Sequence, residues 1–192
     1  MRELRIHGRG GQGAVIASKV LAVALFREGR EVQSFPAFGV ERRGAPVTAF
    51  LRVADAPIRL RCEVTEPDDL IVLDATLIGA VDVTAGLKPG GTIVVNTERL
   101  PDAFASLAGR YRVATVDAGA IATAHGIGSK SQPIVNTAIL GAYAAASGQV
   151  GLDAVCDAIR EEVPIMPEEN VAAARAAAAA VLVSSPREVA HV

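Results

Sequence analysis

Tryptophan is absent from the 192 residues, and there are only two tyrosines, five phenylalanines, three histidines and two cysteines. Each shortage excludes something. A nucleic-acid surface of basic residues interleaved with stacking aromatics has little to draw on, and a formal net charge of -2 gives it no basic excess, so nucleic acid is not an expected partner. Cys62 and Cys156 have no Cys or His nearby at metal-ligand spacing. This chain alone therefore offers no iron-sulfur or zinc site, and the two cysteines read as small core residues. Long apolar runs are also lacking: Arg, Glu or Gly interrupts every one well before the ~20 residues of a bilayer crossing. Arg2, Glu3 and Arg5 occupy the start, where a signal peptide would need an apolar stretch. A cytoplasmic protein without a membrane partner is expected.

What remains is 51% hydrophobic and 21% charged, with the charges scattered, which is the balance of a soluble globular chain rather than a disordered one. Its length suits one core. We expect a single domain over residues 1–185 and a flexible tail over 186–192. Runs rich in β-branched residues (ELRIH, EVQSF, PVTAFLRV, DLIVLD, GTIVVN, YRVATVD) are interleaved with helical patterns such as AVIASKVLAVALFREG. This rhythm predicts an α/β fold: a Rossmann-like domain with a mostly parallel sheet flanked by helices. DLIVLD and GTIVVN are almost continuously apolar, as strands covered on both faces should be, whereas PVTAFLRV alternates and suits an antiparallel position at one side. After about residue 132 helical patterns take over, giving a helical C-terminal third that ends with PEENVAAARAAAAAVLV. Pro167 followed by Glu168 and Glu169 makes a favourable first helical turn there.

The stretch HGRGGQG lies between the first strand and the first helix, and Gly8, Gly10 and Gly13 fit the G-x-G-x-x-G spacing of dinucleotide sites. Glycines permit a tight turn and close approach, and the free N–H groups of a helix start attract an anion. NAD binding also requires an acid at the end of the second strand, about 20 residues further on. That region reads QSFPAF, and Glu31 lies at the beginning of the strand. The second informative stretch, FPAFGVERRGAP, carries Glu41, Arg42 and Arg43 in a loop bounded by Gly and Pro. Adjacent guanidinium forks suit phosphate. A third cluster, SKSQPIVNTAILGAY, holds Lys130, Ser131, Gln132 and Asn136, with Asn136 inside an apolar helical pattern where a buried amide would need partners. Asn170 falls in the first turn of the last helix. On residues alone three readings stay open: a glycine turn needed for packing, an NADP site, and a site for a ligand with several phosphates.

Together HGRGGQGAV, FPAFGVERRGAPVTAFLRV, EPDDLIVLD, PIVNTAILGA and PIMPEENVAAA resemble, in order over about residues 3 to 182, the gamma subunit of pyruvate:ferredoxin and related 2-oxoacid:ferredoxin oxidoreductases. The resemblance implies a heteromeric complex that decarboxylates a 2-oxoacid, most closely pyruvate, to acyl-CoA and CO2 while reducing ferredoxin. It implies thiamine diphosphate, magnesium and iron-sulfur clusters in alpha, beta and delta-type partner subunits. For this chain it implies assembly and coenzyme A binding, without activity in isolation. By position, the family's coenzyme A contacts fall on Gly10, Gly11, Gln12, Gly13 and Ala14, on Arg42 and then Arg43, and on Asn136 and Asn170. No catalytic residue or metal ligand is expected on this chain. A purely structural subunit without coenzyme contact, or a stand-alone NADP-binding oxidoreductase, are the alternatives.

Overall fold

The computed structural model describes residues 1–37 and 42–184; Glu41 of the second loop and the tail expected over 186–192 lie outside the described residues. In chain order the elements are β1 (Arg2–Arg9), α1 (Ala14–Arg27), β2 (Glu31–Pro36), β3 (Pro46–Ala54), β4 (Asp69–Val72), α2 (Leu77–Ala80), β5 (Thr92–Asn96), a 3₁₀ turn (Pro101–Phe104), α3 (Ala105–Ala108) and β6 (Arg112–Val116). There follow α4 (Ala118–Ala124), β7 (Gly128–Ser129), β8 (Gln132–Pro133), α5 (Ala138–Ser147), α6 (Leu152–Glu162), α7 (Pro167–Ala180) and β9 (Leu182–Val183).

Seven strands form one sheet in the order β2-β3-β1-β4-β5-β6-β9, and β7 pairs with β8 in a separate hairpin. β1, β4, β5 and β6 run parallel. β3 is antiparallel to both β1 and β2, as the alternation in PVTAFLRV predicted, so β2 points the same way as β1. Only β3 and β9 run against the common direction.

Period-two side-chain alternation divides the core between the sheet's faces. Leu4, Ile6, Leu51, Ile71 and Val94 meet α1, α4, α5, α6 and α7 on one face, while Leu70, Val72, Ile93 and Val95 meet Leu77, Val83, Leu87 and Phe104 on the other. β4 and β5 are therefore covered on both faces, as their unbroken apolar character required. Under β1 and β3 the second face is polar yet buried. Arg52, 1% exposed, donates from Nε to Glu3 Oε1 at 2.7 Å and from a terminal nitrogen to Gln33 Oε1 at 3.0 Å, with its guanidinium 5.3 Å from the Phe35 ring centroid. Arg5 donates to His7 Nε2 at 3.0 Å and to the carbonyls of Val83 and Ala85. Burial and the Arg5 charge push the His7 imidazole down to about 4, so it stays neutral near pH 7 and remains an acceptor. Asp69, fully buried, accepts from Arg2, Tyr143 and the Thr92 N–H, fastening β1, α5 and β5 to one point. Burial raises the Tyr143 phenol above its ordinary value, and it stays a donor.

The C-terminal third is helical as expected, with two differences. Gly128–Pro133 forms a short hairpin before α5. The last helix ends at Ala180, so Leu182 and Val183 pair with Thr115 and Ala114 instead of extending it. An apolar VLV after an alanine run fits either state by pattern, and the open edge of β6 decides it. Among the described residues no helix is long and apolar enough to cross a membrane.

Candidate functional site

The connections after β1 and β4 leave on opposite faces of the sheet. α1 packs with the first core cluster, while Leu77 of α2 belongs to the second. The carboxyl ends of β1 and β4 thus flank a topological switch point, where open α/β sheets form a ligand crevice. A cavity of about 620 Å³ opens there, lined by Gly10, Gly11, Gln12, Arg43, Asn96, Ser131 and Gln132 among others.

Its first wall is the glycine turn. Gly8 is still in β1, where a Cβ would come to 3.0 Å from Leu73 Cδ1. Gly10 N–H donates to the Ala45 carbonyl at 2.9 Å, and Gly44 N–H donates to the Gly10 carbonyl at 3.0 Å. A side chain on Gly10 would collide with the Arg42 carbonyl oxygen. Gly11 (φ 97°) and Gly13 (φ 78°) occupy the left-handed region. Gly13 stands at the cap position of α1 without a side-chain cap, and no acidic residue lies in that helix's first turn. No carboxylate within the first turn of α1 offsets the positive end of its dipole.

The second wall is the β2–β3 loop. Arg42 and Arg43 are both exposed; Arg43 lines the cavity and its backbone bridges to that of Gly10, whereas Arg42 is absent from the lining. Arg42 opens a tight turn in which Ala45 N–H donates to the Arg42 carbonyl at 3.0 Å, and the dipeptide alone does not show which arginine that turn brings to the cavity.

Arg9 holds the two walls together and was not singled out in the sequence. Its guanidinium donates to Asp74 Oδ2 at 2.8 Å, to Thr76 Oγ1 at 2.8 Å and to the Gly44 carbonyl at 3.1 Å. Burial opposes ionisation of Asp74, but hydrogen bonds from Thr76 and Arg9 outweigh it and hold the carboxyl below its ordinary range. Arg9 is thus charge-compensated within the chain and serves as a brace. Gln12 completes the turn, its Oε1 accepting from Arg9 N–H at 2.7 Å and its Nε2 reaching toward Asp74. Its side chain faces the turn, leaving backbone for the cavity.

Ser131 and Gln132, from the third sequence cluster, reach the cavity through the β7–β8 hairpin, and Lys130 at its tip is exposed and outside the lining. Asn136 is not inside a helix, as its apolar surroundings suggested, but two residues before α5, buried beside Gly13. A Cβ on Gly13 would collide with Asn136 Nδ2. Ala14 is buried behind the turn. Asn170 is not brought to this cavity. Its Oδ1 accepts from Thr137 Oγ1 at 2.6 Å and its Nδ2 donates to the Met166 and Ile165 carbonyls, which uses its amide internally. Among the described residues no group of three or more His, Cys, Asp or Glu is placed to hold a metal ion.

The fold and the switch-point cavity put the chain among Rossmann-like α/β proteins. A family model described as pyruvate ferredoxin/flavodoxin oxidoreductase matches residues 3–180. The gamma subunit common to the pyruvate and ketoisovalerate oxidoreductases of Thermococcus kodakarensis is 51% identical over 180 residues, covering 92% of this chain and 95% of that protein. The crystal structure of the pyruvate oxidoreductase subunit PORC from Thermotoga maritima superposes with a TM-score of 0.81 at 33% identity, covering 96% of this chain and 98% of that one. A 2-oxoglutarate:ferredoxin oxidoreductase from Magnetococcus marinus, with a TM-score of 0.68 at 20% identity, shares the fold over 96% of this chain and 32% of its own length. The chain belongs to the pyruvate ferredoxin/flavodoxin oxidoreductase family, as a gamma-type subunit of an oxidoreductase complex.

Proposed function

We propose that this subunit receives the phosphorylated end of coenzyme A in a complex converting a 2-oxoacid, in the first instance pyruvate, to acyl-CoA and CO2 with reduction of ferredoxin. The observation that carries the reading is that Arg43 lines the same cavity as Gly10, Gly11 and Gln12 at the uncapped start of α1. Backbone N–H groups at a helix start suit the diphosphate, and a guanidinium suits a phosphate as a bidentate partner. Gly11 and Gly13 supply close approach, Arg43 the charge, and Arg9 the geometry. Gln12 and Ala14 contribute through the backbone of the turn. Arg42 has an outlying role at the rim, and Asn170 acts by holding Thr137 and the turn before α7.

Two features of relatives support this division of labour. The Thermococcus kodakarensis protein is named as common to pyruvate and ketoisovalerate oxidoreductases. A subunit shared by enzymes for two oxoacids serves a part that both reactions use, and a shared acyl acceptor is such a part. The Magnetococcus marinus enzyme was solved with coenzyme A and succinyl-CoA bound. In our reading thiamine diphosphate, magnesium and the iron-sulfur clusters reside in alpha, beta and delta-type subunits, ferredoxin docks elsewhere on the complex, and the isolated chain is inactive. The complex works in the cytoplasm, and oxoacid choice lies on the partner chains.

Arg43→Ala in the reconstituted complex tests the reading. Loss of one charge-assisted contact, roughly 1.5–3 kcal/mol, should raise the KM for coenzyme A on the order of tenfold to a hundredfold, with the KM for the oxoacid unchanged. Equal effects on both substrates in steady-state assays, or none on either, would favour a purely structural subunit.

A further inference from the structure

A second hollow, about 420 Å³, lies beside the first and shares Gly128 and Ile134 with it. Its lip is apolar and open. Ile16 from the first turn of α1, Ile134 after the hairpin, and Ile165 and Met166 from the turn before α7 line it, and they are 50%, 49%, 73% and 39% exposed. Eleven large hydrophobic side chains are exposed among the described residues, and these four meet at one groove. Apolar surface gathered in this way marks a place where another molecule sits. The charges around it are already matched within the chain: Lys19 pairs with Glu162, Arg27 with Glu161 and Arg160 with Glu168. An occupant is therefore selected by apolar surface and not by charge.

The turn that presents Ile165 and Met166 is built to hold them outward. Pro164 and Pro167 bracket it and stiffen its backbone. Met166 alone among the described non-glycine residues has a positive φ, 53°, a conformation that a side chain larger than glycine adopts only when its surroundings impose it. Asn170 imposes it. Buried at 3% exposure, its Nδ2 donates to the Met166 carbonyl at 2.8 Å and to the Ile165 carbonyl at 3.3 Å, while its Oδ1 accepts from Thr137 Oγ1. A strained residue and a buried amide thus keep two apolar side chains in water. Folding of the chain alone gains nothing from that arrangement, whereas a partner that covers them does.

We propose that this groove docks the partner subunit on which the acyl intermediate forms, through an aliphatic or aromatic anchor of that chain seated between Ile16, Ile134 and Ile165. The proposal rests on the reading that the adjoining cavity holds coenzyme A by its phosphates. A thiol on a ligand anchored there meets the acyl group only if the chain bearing that group reaches the same rim, and Gly128 and Ile134 make rim and groove continuous. Interfaces of permanent complexes are apolar at their centres, with a few well-packed anchors carrying most of the affinity, which is what this lip offers.

A benzophenone side chain introduced at Ile165 in the complete complex identifies the neighbour by photo-crosslinking. Labelling of the subunit that binds thiamine diphosphate is expected; labelling of a cluster-bearing subunit, of a second copy of this chain, or of nothing overturns the proposal. Ile165→Glu should weaken association of this chain with the rest of the complex roughly tenfold or more, with the Tm of the free chain unchanged within about 2 °C. Met166→Gly relieves the left-handed strain, so it should weaken association severalfold while the free chain stays as stable or becomes more so. Unchanged association in both variants also overturns the proposal. Arg43→Ala reports separately on the phosphate cavity: an unchanged KM for coenzyme A sinks that reading, whereas the crosslink and the two association measurements decide the docking face.

Discussion

Gly10→Ala is expected to raise the KM for coenzyme A at least tenfold, while the KM for the oxoacid and the thermal stability of the chain change little. The added Cβ would run into the carbonyl oxygen of Arg42, a backbone atom that cannot swing away as a side chain can. The β2–β3 loop must retreat, losing the hydrogen bonds from Gly44 N–H to the Gly10 carbonyl and from Gly10 N–H to the Ala45 carbonyl, and it takes Arg43 with it. Those bonds lie at the sheet's rim, so little of the core is disturbed. Gly11→Ala is the natural comparison. There a Cβ meets only the distant Arg43 Cγ at 4.0 Å, and the change bears only the cost of a left-handed φ of 97°, roughly 1–2 kcal/mol. Steady-state assays of the reconstituted complex should rank Gly10→Ala well above Gly11→Ala. The reverse order would show that the turn's own conformation, and not its grip on the arginine loop, governs the site.

The second large effect lies away from the cavity. Gly141→Val should lower the Tm of the chain by roughly 10 °C or more. Gly141 faces the backbone of Ala174 where α5 and α7 cross, and even a methyl there would collide with the Ala174 carbonyl oxygen. Neither helix backbone can yield locally, because Ala138, Ile139 and Ala142 of α5 and Ala173 and Ala177 of α7 are fully buried beside the contact. Forcing the helices apart opens the core above the sheet, a defect of about 4 kcal/mol or more, and in a chain of this length each kcal/mol shifts Tm by about 2–4 °C. Gly148→Ala supplies the control, since Gly148 ends α5 with a positive φ in open space and its replacement costs about 1 kcal/mol. Thermal unfolding followed by circular dichroism separates the two. Similar Tm values would mean that the helix crossing is looser than the packing implies.

The central strands were legible because their middles contain nothing but their own physics: LIV of β4 and IVV of β5 are unbroken apolar runs, and burial on both faces is the arrangement that such runs accept. The glycine turn was legible for a similar reason, since its spacing and its position between a strand and a helix both followed from the order of residues. Arg5, His7 and Arg52 were not. Alternating polar residues in a strand read as a solvent-facing side, and only the segments that pack over β1 and β3 bury them, with carbonyls of Val83, Ala85 and Glu63 as acceptors. The Arg9–Asp74 brace was hidden by distance along the chain, its members being 65 residues apart and meeting only because β1 and β4 pair in parallel. Nothing local marked Asp74 as the partner that fixes Arg9. Asn136 was noticed as a polar residue in an apolar run, but PIVNTAIL does not show that the helix waits until Ala138.

Determination of the assembled complex with coenzyme A bound bears most directly on the central claim. The coenzyme's diphosphate should lie within hydrogen-bonding distance of the backbone N–H groups of Gly11 to Ala14, with the Arg43 guanidinium on a phosphate oxygen. Phosphates held wholly by other subunits, with the turn of this chain facing protein or solvent, would contradict it.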